Sequence, residues 1–311
     1  MPVAALFASH TPLKDYHTPA GEVAAEVEAQ LAALRAWVAD YRPELVVMFG
    51  PDHYNGFFYR LMPCFCIGTA ATSVGDWNTP AGALPVAAEA AAACVKYVHA
   101  AGVDVALSHR MEVDHGITQL LTQLFDWAAL PPLLPVFVNC AAPPLPPLAR
   151  VVALGEALGR YLAGRPERVL LAASGGLSHD PPIPLLEHSP EPVRERLIAG
   201  GALSTEARAT RQQRVIDDAG AQSGGASPRT PLNPTWDQQF LDRLQAFDFA
   251  AIAAMDDGSI TRAAGCGGHE IRTWVAVAAA ARAAGITRLE RRYYRAIPEW
   301  IAGYALMSGE W

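Results

Sequence analysis

Five short apolar runs punctuate the chain up to residue 174, each ending in a small or polar residue: "AALFAS" (4–9), "ELVVMFG" (44–50), "VDVALS" (103–108), "LLPVFVN" (133–139) and "RVLLAAS" (168–174). Short continuous runs bounded by turn formers read as strands buried on both faces. Between them lie longer segments of helical character at 20–41, 81–102, 115–128 and 147–164. Strand and helix in alternation predict an α/β fold, a three-layer α/β/α sandwich around a central, largely parallel or mixed sheet.

Beyond residue 174 the pattern changes. Helical segments are expected around 190–218 and 235–255, with a final helix near 269–284. The stretch "GAQSGGASPRTP" (220–231) is a loop by composition. No internal repeat is visible, and the expectation is a single domain over 1–311 with a mobile loop near 219–231.

Composition narrows the function classes. A chain of 311 residues with 51% apolar and 18% charged residues has the make-up of a globular protein. A net charge of -7 offers no basic face to a polyanion, so nucleic acid is set aside as a partner. No apolar run approaches the roughly 18 residues of a membrane span, and no basic segment precedes the short apolar start, which points to a cytoplasmic location. The five cysteines form neither a CxxC knuckle nor a disulfide framework, and are expected to be reduced and mostly buried.

Open α/β sheets place their chemistry in loops beyond the carboxyl ends of the strands. Four of the nine histidines fall there: His10 after "AALFAS", His53 after "ELVVMFGPD", His115 in "HRMEVDHG", and His179 closing "RVLLAASGGLSH". Taken singly, each is as readily a turn or capping histidine. Four together, with no cysteine cluster, point to a metal-dependent enzyme, and imidazole suits zinc, iron, copper or nickel. A carboxylate is still needed; "CGGHEIRTW" offers Glu270 at a helix start. No local HExxH motif is present, so spacing alone leaves the ligand set open.

At these residues a resemblance enters. "FASHTPL", "GPDHYNGFF", "EVDHGITQLL", "GGLSHDPP", "LNPTWDQQFL" and "GGHEIRTW" resemble, in order and from about residue 3 to the C-terminus, the class III extradiol ring-cleaving dioxygenases. Within that family the resemblance is closest to members that open 2,3-dihydroxyphenylpropionate; 2,3-dihydroxycinnamate is a further candidate substrate. The resemblance implies one catalytic domain with an Fe(II) ion held by His10, His53 and Glu270. It implies that His179 accepts a proton from the catechol and that His115 donates one to the departing oxygen. Asp114 is then expected to orient the His115 imidazole, while also capping the helix that follows. The implied partners are a catechol and O2, and a homo-oligomer is expected for an enzyme of this size.

Two other readings are open at this point. One is a zinc hydrolase on a two-His-one-Glu site; the other is a binding protein of the same fold that is not an enzyme. Lys14 and Arg272 stand near His10 and Glu270 as possible partners for a substrate carboxylate, although solvated surface charge is the plainer account of each.

Overall fold

The computed structural model describes residues 3–310. Eleven strands are seen: β1 (Val3–Ala8), β2 (Leu45–Gly50), β3 (Phe65–Gly68), β4 (Ala71–Ser73), β5 (Gly82–Ala83), β6 (Ala106–Ser108), β7 (Met111–Val113), β8 (Leu133–Val138), β9 (Val169–Ser174), β10 (Arg288–Ile297) and β11 (Ala302–Glu310). The α-helices are α1 (Val23–Tyr41), α2 (Ala88–Ala100), α3 (His115–Leu124), α4 (Leu148–Ala163), α5 (Glu191–Ala199), α6 (Thr205–Ser223), α7 (Pro234–Gln245), α8 (Phe249–Ala253), α9 (Asp257–Ala264) and α10 (Ile271–Ala283).

Eight strands form one mixed sheet in the order β10-β11-β1-β9-β2-β8-β3-β6. Its centre, β1-β9-β2-β8, is parallel, while β10, β11 and β3 join antiparallel. Alternation along β1 divides the core: Val3, Ala5 and Phe7 pack with α2, α4 and α10, whereas Ala4, Leu6 and Ala8 pack with α1 and α3. Both faces are therefore covered, which is why these strands read as unbroken apolar runs. A second, three-stranded sheet, β5-β4-β7, lies between β3 and α3 in the chain.

Helix α10 is buried nearly all round, from Ile271 to Ala281. It lies unusually close to α4 because Gly155 and Gly159, one turn apart, face it. A Cβ at either would fall 2.2 Å from the carbonyl oxygen of Ala276 or Ala280. That contact fixes the helix whose N-terminus carries Glu270.

Several elements differ from expectation. Only Ala106–Ser108 of the 103–108 run pairs, as an edge strand. β10 and β11 were not expected: β10 is rich in arginine, and its pattern resembles a polar surface segment. The 190–218 region divides into α5 and α6, and the 235–255 region into α7 and α8. Helix α6 continues to Ser223, so the first part of the expected 219–231 loop is helix, with Ala219 buried. The remainder is tied down by the Thr230 N–H donating to Asp180 Oδ2 at 2.9 Å.

Candidate active site

Strands β1, β9 and β2 are neighbours, so the loops leaving their carboxyl ends converge. His10 lies two residues beyond β1, His53 three beyond β2 and His179 five beyond β9. His115 opens α3, and Glu270 ends the 3-10 turn Gly267–Glu270 that leads into α10. The structure thus brings together all five side chains expected at the site.

Glu270 is the hub. Its Oε1 lies 3.2 Å from His53 Nε2 and 3.4 Å from His179 Nε2, and its Oε2 lies 3.7 Å from His10 Nε2. The backbone N–H that reaches it is that of Gly176, donating to Oε2 at 2.7 Å, rather than an amide of its own helix. Among the described residues no arginine or lysine pairs with this buried carboxylate; its counter-charges are imidazoles alone.

Hydrogen bonds at the far nitrogens orient each ring. His10 Nδ1 is 2.9 Å from Ser174 Oγ. His53 Nδ1–H donates to Asp114 Oδ2 at 3.1 Å, and its backbone N–H donates to the same oxygen at 2.8 Å. His179 Nδ1–H donates to the Leu177 carbonyl at 3.0 Å. His115 Nδ1–H donates to Asp76 Oδ2 at 2.6 Å, and its backbone N–H donates to Asp76 Oδ1 at 2.8 Å. The acceptor-only partners of His53, His115 and His179 place a proton on Nδ1, and all four bonds leave the Nε2 atoms to face the site. The His115 ring stacks on His53 at 4.2 Å and meets His10 edge-on at 5.4 Å.

Asp114 therefore corrects the expectation. It caps α3, accepting from Gly116 N–H at 2.9 Å, but the imidazole it holds is that of His53. The carboxylate behind His115 is Asp76, which the sequence reading missed because 39 residues separate the two and no local spacing links them. Trp77 and Asn78, directly after Asp76, both have left-handed backbone at φ 48° and 61°, strain of a kind that gathers at functional sites. Arg272 is also corrected. It is fully buried, bonded to Asp257, to His269 and to the Pro146 carbonyl, and faces away from the site. Lys14 lies 4.0 Å from Glu28 on α1.

The electrostatics suit a cation. Burial pushes the His10 imidazole down to about 3 against the pull of Glu270, so the ring is neutral. Burial would also lower His53, but Asp114 and Glu270, one at each nitrogen, outweigh it and hold the ring well above the usual range. Burial would raise Glu270, yet the His10, His179 and His53 imidazoles keep it well below the usual carboxylate range. His179 likewise ends above its ordinary value, because Glu270 outweighs burial. A carboxylate facing several Nε2 atoms in a buried pocket becomes a donor set for a metal ion when the cation displaces the ring protons. Nitrogens of His10, His53 and His115 lie within 4.8 Å of one another, as do ligand atoms of Asp76, Asp114 and His115.

The cluster forms the floor of a cleft walled by Leu13, Trp77, Ile183 and Trp300 and closed on one side by α6. An apolar wall above a polar floor suits a small aromatic ligand.

Fold and site together define an aromatic ring-opening dioxygenase. Residues 4–305 match the family model described as the catalytic LigB subunit of aromatic ring-opening dioxygenase, and the chain belongs to that family. Three relatives carry the name 2,3-dihydroxyphenylpropionate/2,3-dihydroxicinnamic acid 1,2-dioxygenase. One from Cupriavidus pinatubonensis is 50% identical over 310 residues, 100% of this chain and 99% of that one. One from Paraburkholderia xenovorans is 51% identical, over 99% of this chain and 97% of that one. The third, from Mycolicibacterium vanbaalenii, is 49% identical, over 96% of this chain and 95% of that one. Membership decides against the zinc hydrolase and against a protein that is not an enzyme. No helix among the described residues is long and apolar enough to cross a membrane.

Proposed function

We propose that this chain is one catalytic domain that opens 2,3-dihydroxyphenylpropionate, and the related cinnamate, by Fe(II)-dependent extradiol cleavage. Full-length identity near 50% to relatives bearing that name supports the substrate. The observation that carries the chemistry is the convergence of His10 Nε2, His53 Nε2 and one buried carboxylate that, among the described residues, pairs with no arginine or lysine.

In this reading His10, His53 and Glu270 hold the metal. Glu270 is preferred to His115 as the third ligand because, once the imidazoles around it are neutral as metal ligation requires, its buried charge needs a cation. Two histidines and a carboxylate on one face are typical of non-haem ferrous sites. A bound ferrous ion supplies open positions where catechol and O2 meet and exchange electrons.

The remaining residues move protons. His179, its Nδ1–H held by the Leu177 carbonyl, offers an Nε2 lone pair to a substrate hydroxyl and acts as the base. His115, held at Nδ1 by Asp76 and stacked on His53, returns a proton from Nε2 to the departing oxygen. The Leu13, Trp77 and Trp300 walls orient the ring and exclude water. Reduced, mostly buried thiols accord with a cytoplasmic enzyme, and a homo-oligomer is proposed.

The test is oxygen uptake. Purified anaerobically and loaded with ferrous iron, the protein should consume O2 with 2,3-dihydroxyphenylpropionate and form a yellow ring-opened hydroxy-keto dienoic acid. No uptake with this or any other catechol would sink the reading.

A further inference from the structure

The cleft is lined by two permanent cations among the described residues, Arg208 and Arg211. Both come from α6, where residues 208, 211, 212 and 215 form a single stripe facing the cleft. Their surroundings differ sharply. Arg211 donates Nη2–H to the His53 carbonyl at 2.6 Å and lies in the field of the Asp114, Asp52 and Asp76 carboxylates. Those acids offset part of its charge, although among the described residues no carboxylate lies within 4.0 Å of it. Arg208 donates Nη1–H to the Val74 carbonyl at 3.0 Å and makes no ion pair within 4.0 Å among the described residues. A backbone carbonyl anchors a guanidinium without neutralising it, and the remaining donors of the fork are left over.

We propose that Arg208 binds the side-chain carboxylate of the substrate, so that α6 carries the specificity of the cleft for 3-substituted catechols with an acidic tail. This rests on the ring-cleavage reading above. An acidic substrate entering a cleft that already contains Glu270 and Asp76 meets like charge, and an unpaired cation at the wall offsets it. A guanidinium can meet a carboxylate with two parallel hydrogen bonds, which gives direction as well as charge. Neither of the other nearby candidates lines the cleft: Lys14 lies beside Glu28, and Arg196 covers the Phe58 ring. The catechol end would lie over the histidine floor while the tail reaches α6.

The test compares 2,3-dihydroxyphenylpropionate with 3-propylcatechol, in which a methyl replaces the carboxylate. Wild type, Arg208→Met, Arg208→Lys and the exposed control Arg214→Met are assayed as iron-loaded full-length protein. In Arg208→Met the ratio of kcat/KM for the acid to that for 3-propylcatechol should fall by about 10- to 100-fold, mostly through KM, as expected for a charge-assisted hydrogen-bond pair. Arg208→Lys should fall between, and Arg214→Met should keep the wild-type ratio. As a readout independent of turnover, calorimetric binding of 3-phenylpropionate to metal-free protein should weaken by a similar factor in Arg208→Met. A ratio unchanged in both Arg208 variants, or an equal loss on both substrates with unchanged 3-phenylpropionate binding, would overturn the assignment. If wild type opens neither catechol, it is the ring-cleavage reading that fails, whatever Arg208 does.

Discussion

Asp76 holds His115 twice, accepting its backbone N–H at Oδ1 (2.8 Å) and its Nδ1–H at Oδ2 (2.6 Å). The main chain and the ring of the proposed proton donor are thus fixed by a single carboxylate 39 residues away in sequence.

Replacing Asp76 with alanine frees the His115 ring without touching His10, His53 or Glu270. Turnover should fall by about 10- to 100-fold, the usual cost of losing a hydrogen-bonded orienting partner. Iron content after anaerobic loading should match wild type. Loss of iron together with activity would mean that Asp76 supports the metal instead.

Asp114→Asn makes the opposite prediction. Asp114 accepts from the His53 backbone, the His53 ring and Asn55 Nδ2, so its loss loosens a proposed ligand. Ferrous affinity should weaken by about 10- to 100-fold. It also caps α3, but asparagine caps a helix about as well as aspartate, so the cap should survive and a fall in melting temperature would report the lost His53 contacts. Anaerobic iron titration beside a thermal melt separates the two effects.

Gly267 faces His179 so closely that a Cβ there would lie 2.2 Å from its Nε2. The obstacle is the end of a side chain, not backbone, so Gly267→Ala should fold, with His179 swung aside. Loss of a positioned general base costs on the order of 100- to 10,000-fold in rate. Near-wild-type turnover in a folded Gly267→Ala protein would show that His179 is not needed where it stands.

The central parallel strands were legible because burial on both faces writes itself as continuous apolar runs. The antiparallel pair β10 and β11 was not: the exposed positions of β10 carry Arg288, Glu290 and Arg295, and it is pairing with β11 that makes it a strand. At the site, His10, His53, His115, His179 and Glu270 stand where strand ends and a helix start put them, within reach of sequence reasoning. Their supporting partners are not. Ser174 behind His10, Asp76 behind His115 and Arg211 beside the His53 carbonyl come from distant segments, and only the fold makes them neighbours. Asp114 shows the same limit from the other side: adjacency to His115 suggested the wrong imidazole, because a helix N-cap points its side chain back across the chain entry rather than at the next residue.

The central claim is that Glu270, and not His115, completes the ligand set with His10 and His53, leaving His115 free to carry a proton. Anaerobic ferrous titration of wild type, Glu270→Gln and His115→Gln tests it most directly. The account predicts one ion per chain in wild type and His115→Gln, and affinity at least about 100-fold weaker in Glu270→Gln, beyond the range expected of supporting partners. Full iron binding by Glu270→Gln with loss in His115→Gln would contradict it.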